Sequence, residues 1–418
     1  MDRIRIQGPG SLHGKVQVSG AKNAVLPEMA AMLLVEGPVR LHNVPVVRDV
    51  QTMTRVLRHL GMRQVALEGN TLVAEGGAPG EPEAPYDLVR TMRASILVLG
   101  PLLARLGRAK VSLPGGCAIG ARPINYHIEA LRRMGAEVVI EHGYVVASCP
   151  RLKGAEIVFD DRTVTGTENI MMAAALADGR TVLKGCALEP EVVDLARFLN
   201  ACGARIEGAG TGRITIDGVA KLRGAEHTVI PDRIETGTFL MAAAATKSGI
   251  TVKRCNPAHL ESVLDKLQEC GVSLRVDGDA ITVQPDGPLR AANVATRPYP
   301  DFPTDLQAQF MALMARAEGV SIITETVFEN RMMHVGELRR MGARIVVDGQ
   351  SAIVAGPAPL SGAQVMASDL RASACLIVAG LAADGETVIN RAYHIDRGYE
   401  KVETKFQGLG ARIERIAG

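Results

Sequence analysis

Glycine recurs in this sequence at intervals close to 70 residues, and this recurrence limits the possible folds more than any other feature. One series ends leucine-rich amphipathic stretches such as RVLRHLG, at positions 61, 135, 203, 271, 342 and 410. A second series ends stretches rich in Ala and Met, such as TFLMAAAATKSG, at positions 37, 107, 179, 249, 319 and 385. Because glycine takes the left-handed conformation of a helix C-cap at little cost, both series predict helix ends.

The two series place two kinds of helix in every interval. Helices before the first series are amphipathic and belong at a surface, whereas those before the second are apolar on nearly all faces and must be buried. Apolar alternations around HG or DG, such as AEVVIEHGYVVAS, predict hairpins after the amphipathic helices. The repeating unit is therefore a strand, a buried helix, a strand, a surface helix and a hairpin, and six copies account for the 418 residues.

Six such units predict an α/β fold with two lobes, each made of three repeated α/β units around inward buried helices. The boundary between the third and fourth units falls near residues 224–231. Low aromatic content fits this arrangement, because Ala, Met and Gly let helices approach closely.

Composition narrows the class of protein. Lys and Arg total 47 and Asp and Glu total 45, so the net charge is +2, and aromatic residues make up 3%. Nucleic-acid-binding proteins usually carry a basic excess or stripe and stacking aromatic rings, so we expect no nucleic-acid partner. No apolar run approaches the roughly 20 residues of a membrane span, and we expect neither membrane insertion nor a signal peptide.

The residues that usually mark cofactor and metal sites are scarce. The seven cysteines form no C-x-x-C pair, which indicates reduced thiols in the cytoplasm. No Walker A loop and no strand–GxGxxG–helix unit occurs, so nucleotide hydrolysis and dinucleotide redox chemistry are disfavoured. The polar run of His394, Asp396 and Arg397 is only a weak metal candidate. We expect neither a cofactor nor a metal.

Each buried helix begins with polar or charged residues, at 22–23, 90–93, 165–169, 232–238, 303–307 and 368–371. Parallel helices would present these N-termini on one face of each lobe, and two opposed faces would attract a polyanion. Capping explains most of these residues better, and Thr165 and Ser368 have the residue types of N-caps.

Four of these residues invite a functional interpretation. Lys22, Arg93 and Arg371 have apolar neighbours, and a buried charge is costly unless it is paired. Each can bind an anionic ligand or form a structural ion pair, and the sequence leaves both open. Asp305 in YPDFPTDLQAQF can be a general base or a partner of the helix N-terminus, and the sequence alone favours the second.

Cys117 lies in the glycine-rich run LPGGCAIGARP, five residues before Arg122. The glycines permit close approach to a ligand and lid-like motion, and a nearby arginine makes a thiol more reactive. The alternative is an inert buried thiol, which we expect for the other six cysteines.

These motifs together resemble the enolpyruvyl transferases. The resemblance covers the whole chain and runs through GAKNAVLP, YDLVRTMRASI, LPGGCAIGARP, TGTENIMMAA, LEPEVVD, PDRIETGTF, FPTDLQAQF, TETVFENRMMHV, DLRASA and YHIDRGYE. It implies an inside-out α/β barrel with lobes at 22–229 and at 1–21 with 230–418, and an active site in the cleft between them. The joining of the first 20 or so residues to the second lobe comes from the family and not from the periodicity.

The resemblance also implies a reaction. In the branch that this sequence is similar to, enolpyruvate passes from phosphoenolpyruvate to the 3'-hydroxyl of UDP-N-acetylglucosamine, and phosphate is released. This is the first committed step of peptidoglycan synthesis, carried out by a cytoplasmic monomer through addition and elimination. Cys117 matches the proton donor to the methylene carbon, Asp305 matches the acceptor of the hydroxyl proton, and Lys22 and Arg397 match catalytic cations.

The implied binding residues are numerous. Those for phosphoenolpyruvate are Lys22, Asn23, Arg122, Arg371 and Arg397. Those for the nucleotide sugar are Asn23, Arg93, Arg122, Pro123, Ile124, Asn125, Tyr126, Thr163, Val164, Asp305, Val327 and Arg331, and Asp369 lines the same cleft. The sequence departs from the family at Asn125, where Asp is frequent, and at Asp161, where Lys is frequent.

Three alternatives remain open at this stage. A transferase acting on shikimate 3-phosphate would share the fold but lack the GGC run. A ring of six repeats that binds nucleic acid would show basic inner faces and salt-sensitive affinity. A non-catalytic sensor of nucleotide sugars would tolerate the loss of Cys117.

Overall fold

The computed structural model describes residues 2–76, 80–90, 92–113, 124–284 and 287–418, and it describes only the backbone of Arg93. The described residues divide into two compact units. A central unit contains residues 20–113 and 124–230, and a terminal unit contains residues 2–19 and 231–418. Each unit has its own hydrophobic core.

The chain begins with two strands of the terminal unit, β1 (Arg3–Gly8) and β2 (His13–Gln17). The first repeat follows, with α1 (Lys22–Ala31), a 3-10 helix (Met32–Leu34), β3 (Val35–His42), α2 (Arg48–His59), β4 (Arg63–Glu68) and β5 (Thr71–Gly76). The second has β6 (Glu83–Ala84), α3 (Tyr86–Val89), a 3-10 helix (Arg93–Val98), α4 (Leu99–Leu106), β7 (Arg108–Ser112), α5 (Asn125–Arg133), β8 (Glu137–Glu141) and β9 (Tyr144–Ser148). The third has β10 (Glu156–Val158), α6 (Val164–Ala175), β11 (Arg180–Lys184), α7 (Pro190–Ala201), β12 (Arg205–Glu207), β13 (Arg213–Asp217), β14 (Leu222–Arg223) and β15 (Glu226–Thr228).

The terminal unit holds the other three repeats. The fourth has α8 (Arg233–Ala245), β16 (Gly249–Lys253), a 3-10 helix (Pro257–His259), α9 (Glu261–Glu269), β17 (Ser273–Asp277) and β18 (Ala280–Gln284). The fifth has β19 (Val294–Ala295), a 3-10 helix (Thr304–Leu306), α10 (Gln307–Met314), β20 (Gly319–Thr324), α11 (Val335–Arg340), β21 (Arg344–Asp348) and β22 (Ser351–Gly356). The sixth has β23 (Gln364–Met366), α12 (Leu370–Ala382), β24 (Gly385–Asn390), a 3-10 helix (Ala392–Arg397), α13 (Val402–Gly408) and β25 (Ile413–Ile416).

Six sheets form over the described residues, one for each repeat, and this confirms the predicted repeat count. In the central unit the strand orders are β14-β3-β5-β4 with β15 also beside β3, β6-β7-β9-β8, and β10-β11-β13-β12. In the terminal unit they are β2-β16-β18-β17, β19-β20-β22-β21, and β23-β24-β1-β25. The first pair in each order is parallel and the other pairs are antiparallel.

The parallel pair links each repeat to its neighbour. The short strand that follows the hairpin of one repeat opens the next repeat and lies at the edge of its sheet, as β6 does beside β7 and β10 beside β11. In the central unit β14 and β15 return from the third repeat to β3 of the first and complete the ring. In the terminal unit the N-terminal segment supplies both β1, which lies between β24 and β25, and β2, which pairs with β16. The sixth repeat is therefore shared between the two ends of the chain.

The glycine caps predicted by the first series are present, whereas four glycines of the second series, at 37, 249, 319 and 385, lie within strands β3, β16, β20 and β24. All six glycines of the first series have positive φ, between 83° and 100°. The glycines at 37, 107, 179, 319 and 385 of the second series also have positive φ.

Close helix packing also requires glycine, since a Cβ at Gly100 in α4 would lie 2.4 Å from Asn169 Oδ1 in α6. Small residues are needed where these buried helices meet.

The predicted buried helices are confirmed in both units. Every residue of α8 after Arg233 is buried, and so is every residue of α10 and α12. The six described cysteines are buried and free, and burial raises the thiol pKa of Cys186 to about 11 and of Cys202 to about 12. Over the described residues, no helix has the length and apolar character required to cross a membrane.

Candidate functional site

Asp305 lies between two buried arginines in the terminal unit. It belongs to the 3-10 helix before α10, Arg371 is the second residue of α12, and Arg331 lies between β20 and α11. Arg331 Nη2 donates to Asp305 Oδ1 at 2.8 Å, and Arg371 Nη2 donates to Asp305 Oδ2 at 2.5 Å. The side chains of both arginines are 6% exposed and that of Asp305 is 24% exposed. The carboxylate therefore forms the accessible side of a cluster with one net positive charge.

Arg371 is held as a cation. Burial acts to lower the pKa of the Arg371 guanidinium, but the charge of Asp305 outweighs burial and keeps this pKa above its ordinary value. Two fixed guanidinium groups beside a partly exposed carboxylate can attract a phosphate or carboxylate ligand and leave an oxygen to accept a proton. Asp305 lies in the first turn of its 3-10 helix, as the helix-N-terminus interpretation expects, and its two carboxylate oxygens also accept from side-chain cations.

A buried hydroxyl network lies behind Arg371. Tyr399 Oη is 2.7 Å from Thr238 Oγ1, accepts from Gln309 Nε2 at 3.3 Å and lies 3.5 Å from Arg371 Nη1. Burial raises the pKa of the Tyr399 phenol, so the phenol stays protonated. The network ties α8 and α10 to the start of α12 and fixes the position of the Arg371 guanidinium.

Glu325 is a buried residue of this region that the sequence analysis did not identify. Its Oε1 accepts from Thr296 Oγ1 at 2.8 Å, from Val327 N at 2.9 Å and from Phe328 N at 3.2 Å, and its Oε2 accepts from Thr304 Oγ1 at 2.8 Å. Its exposure is 1%. One carboxylate therefore joins β19, β20 and the turn that carries Asp305. An acidic residue directly after the apolar strand SIIT was the only sequence signal.

Thr304 couples Glu325 to the charge cluster. Arg331 Nη1 donates to Thr304 Oγ1 at 3.0 Å, and the same hydroxyl donates to Glu325. The hydrogen bonds that join Arg331 to Thr304 and Thr304 to Glu325 fix the position of the Arg331 guanidinium. Glu325 also accepts directly from the backbone N–H of Val327.

The predicted N-caps are wrong by one or two residues. The cap of α6 is Thr163 and not Thr165, because Thr163 has extended backbone and its Oγ1 accepts from Gly166 N at 3.2 Å. The cap of α12 is Asp369 and not Ser368, since Asp369 Oδ1 accepts from the N–H of Arg371 at 2.8 Å. Ser368 instead donates to Asp369 Oδ2 at 3.0 Å.

Arg397 ends the 3-10 helix Ala392–Arg397 and is half-buried. Asp396 forms two hydrogen bonds with Arg415, at 3.1 Å and 2.6 Å. Burial lowers the pKa of His394, and the neighbouring charge of Arg397 lowers it further. The polar run at 394–397 is thus organised by an ion pair to β25.

In the central unit, Lys22 is the first residue of α1. Its Nζ lies 3.3 Å from Asp49 Oδ2 in α2, and the two side chains are 13% and 5% exposed. The sequence left ligand binding and ion pairing open for Lys22, and the structure supplies an ion-pair partner that the sequence analysis did not name. Asn23 follows Lys22 in the first turn of the same helix.

Further predicted residues lie at the starts of α5 and α6. Asn125 and Tyr126 begin α5 directly after Ile124, and Val164 begins α6. Tyr126 Oη donates to Asp161 Oδ2 at 2.7 Å, and this hydrogen bond raises the pKa of the phenol. Asp161, which departs from the family pattern, therefore holds Tyr126 in place.

Three predicted residues, Cys117, Arg122 and Pro123, lie outside the described residues, and so does the side chain of Arg93.

His127, next to Tyr126, is buried and neutral. Asn169 Nδ2 donates to its Nδ1 at 2.8 Å, so the ring proton is on Nε2, which lies 3.4 Å from Thr165 Oγ1. Burial lowers the pKa of His127 to about 4 from 6.5. In the unfolded chain the imidazole takes up a second proton as the pH falls below 6.5, whereas in the folded chain it stays neutral down to about pH 4. The folded state is therefore destabilised relative to the unfolded state as the pH falls from 6.5 toward 4.

Because of His127, we expect the free energy of unfolding to be about 2 kcal/mol lower at pH 5 than at pH 7. Calorimetry of the wild type and of His127→Gln should show that the melting temperature of the variant falls less between these two pH values. His59→Gln, an exposed histidine of α2, serves as the control and should keep the wild-type pH dependence. Equal pH dependence for wild type and His127→Gln would contradict the prediction.

Comparison with known proteins identifies the class. The family described as EPSP synthase (3-phosphoshikimate 1-carboxyvinyltransferase) matches residues 6–406. The chain belongs to this family, which confirms the resemblance to enolpyruvyl transferases. The enolpyruvyl transferase NikO from Streptomyces tendae has a TM-score of 0.89 and 28% identity and covers 100% of this chain and 99% of its own. EPSP synthase from Acinetobacter baumannii, at 19% identity and TM-score 0.76, shares the fold over 100% of both chains.

Curated relatives are more similar than these structures. Proteins named UDP-N-acetylglucosamine 1-carboxyvinyltransferase are 57% identical in Anaeromyxobacter dehalogenans and 56% identical in Desulfosudis oleivorans, over 100% of both chains in each case. The protein of that name from Koribacter versatilis is 55% identical over 100% of this chain and 97% of its own.

Proposed function

We propose that the protein transfers enolpyruvate from phosphoenolpyruvate to the 3'-hydroxyl of UDP-N-acetylglucosamine with release of phosphate, the first committed step of peptidoglycan synthesis. One observation carries this choice: identity of 55–57% over the whole chain to relatives named for that activity, against 19% to EPSP synthase. The cluster of Asp305, Arg331 and Arg371 supplies the chemistry that the reaction requires.

The proposed reaction has two steps. In the addition, the sugar O3' forms a bond to C2 of phosphoenolpyruvate, its proton passes to Asp305, and C3 takes a proton from Cys117. In the elimination, the Cys117 thiolate takes a proton from C3, the bond between C2 and the phosphate oxygen breaks, and the proton held by Asp305 passes to the phosphate or to solvent. Protons and electrons balance, and the products are the enolpyruvyl ether and inorganic phosphate. No cofactor or metal takes part.

The proposed binding residues come from both units. Lys22, Asn23, Arg122, Arg371 and Arg397 would neutralise the carboxylate and phosphate of phosphoenolpyruvate, and such preorganised charge is usually the largest catalytic contribution. The nucleotide sugar would contact Arg93, Thr163, Val164, Val327, Arg331 and the segment 122–126. We place the substrates in a cleft between the lobes at 22–229 and at 1–21 with 230–418, and we propose a cytoplasmic monomer without a nucleic-acid partner.

A phosphate-release assay with two acceptors tests the proposal. We expect phosphate release from phosphoenolpyruvate with UDP-N-acetylglucosamine and none with shikimate 3-phosphate. Release with only the second acceptor would assign the chain to the shikimate branch. Binding of the nucleotide sugar without any phosphate release would favour a non-catalytic sensor. Salt-sensitive binding of nucleic acid without turnover would favour the ring of six repeats that binds nucleic acid.

A further inference from the structure

Three potential metal-binding side chains converge inside the central unit. Glu28 lies in α1, Asp194 in α7 and His227 in β15. His227 Nε2 is 3.0 Å from Asp194 Oδ1 and 3.4 Å from Glu28 Oε1, and the three ligand atoms all lie within 4.8 Å of one another. The side chains of Glu28 and Asp194 are 0% and 2% exposed, and that of His227 is 13% exposed.

Glu28 points to a missing ligand. Neither of its carboxylate oxygens has a hydrogen-bond partner among the described residues, although the side chain is fully buried. Glu28 shares its ion-pair partner His227 with Asp194, to which the imidazole donates. Glu168, another buried acid that interacts electrostatically with Glu28, has an Oε1 that is also without a partner among the described residues. Burying two acids that share a single cationic neighbour costs free energy, and a bound divalent cation would lower this cost.

We propose that Glu28, Asp194 and His227 bind one divalent transition-metal ion of the Zn²⁺ class, which takes the place of the proton on His227 Nε2 while that proton passes to solvent. Two ligands at about 2.0–2.2 Å from a tetrahedral Zn²⁺ are about 3.3–3.5 Å apart, so the observed 3.0 Å and 3.4 Å separations need only small adjustments. An imidazole nitrogen with carboxylates suits zinc-like ions, whereas Mg²⁺ and Ca²⁺ prefer oxygen ligands alone. None of the three residues belongs to the proposed substrate-binding set.

The surroundings hold the ligands in position. Asp194 Oδ2 accepts from Ile230 N at 3.0 Å, which leaves Oδ1 directed at the cluster. The ring of Phe198 packs against the imidazole of His227 with centroids 5.7 Å apart. Supporting contacts of this kind orient metal ligands in characterised sites.

The site has a structural role because of where its ligands originate. Glu28 comes from the first repeat, Asp194 from the third, and His227 from the strand that pairs with β3 and completes the ring. A bound ion would therefore join the first and third repeats where the ring of the central unit closes, and its stabilisation of the folded protein would rise with the logarithm of the ion concentration.

Isothermal titration of the full-length, EDTA-treated protein with ZnCl₂ tests the proposal. We expect one high-affinity site per chain, a higher melting temperature with Zn²⁺, and no comparable response to MgCl₂. Glu28→Gln and His227→Gln should each weaken the affinity by about tenfold or more. Glu168→Gln, a buried acid outside the ligand set, and His42→Gln, a histidine of β3, should change it much less. No saturable Zn²⁺ binding, or equal affinity for all five proteins, would overturn the assignment.

X-ray absorption at the zinc edge gives an independent measurement that does not depend on a variant folding correctly. The ligand set requires nitrogen and oxygen neighbours at about 2.0–2.2 Å. Sulfur neighbours at about 2.3 Å would locate the ion at a cysteine and would contradict the proposed site.

Discussion

The Asp305→Asn variant is expected to release phosphate from phosphoenolpyruvate and UDP-N-acetylglucosamine about 10³-fold more slowly than the wild type. Asparagine keeps the size of the side chain but cannot accept a proton, and it leaves Arg331 and Arg371 buried together without their carboxylate. Removing one partner of a buried ion pair costs about 3–5 kcal/mol, so we also expect a lower melting temperature.

Three measurements separate the loss of catalysis from the loss of stability in the Asp305 variant. Turnover under saturating substrates reports the chemical step, titration with UDP-N-acetylglucosamine reports binding, and calorimetry reports folding. Asp301→Asn, an exposed aspartate four residues earlier, is the matched control and should behave as the wild type. Near-normal turnover by a folded Asp305→Asn or Asp305→Ala enzyme would remove Asp305 from the proposed mechanism.

The Glu325→Ala variant is expected to lose stability on the order of 3 kcal/mol or more and to raise the KM for UDP-N-acetylglucosamine. The substitution removes the acceptor of four hydrogen bonds, so two hydroxyls and the N–H groups of Val327 and Phe328 lose their partner. The segment that carries Val327 and Arg331 would then lose its fixed position. Urea denaturation followed by fluorescence or circular dichroism measures the first effect, and steady-state kinetics measures the second.

Glu325→Gln should be intermediate, since its amide oxygen can still accept while its amide nitrogen faces donors. Glu318→Ala, an exposed acid at the N-terminal side of β20, controls for loss of charge and should change neither quantity. A stable Glu325→Ala protein with an unchanged KM would show that Glu325 does not organise this segment.

The repeat architecture could be predicted from the sequence because its determinants are local. A glycine at a helix end needs the left-handed region whatever surrounds it, and the first glycine series therefore locates six helix ends without any tertiary information. The apolar helices were recognisable as buried for the same reason, since their composition alone excludes contact with water on any face.

The helix caps show where local reasoning fails. The segment TVTGT at residues 163–167 offers three threonines, all with the residue type of an N-cap. Which one caps α6 depends on tertiary contacts, because Thr165 faces His127 and Thr167 donates to the carbonyl of Thr163. Glu325 was missed for a related reason, since its side-chain partners Thr296 and Thr304 are 29 and 21 positions away.

The shared sixth repeat has a consequence for how this chain folds as it leaves the ribosome. Every described residue of the central unit precedes residue 231, so its three sheets can form while residues 231–418 are still being synthesised. The terminal unit cannot, because β1 pairs Ile4 with Ile389 and β25 arrives last. The first strand made must therefore wait, with its edges unprotected, for the last strand made. Pairing between such distant residues is intrinsically slow, so we expect the terminal unit to finish folding after the central unit.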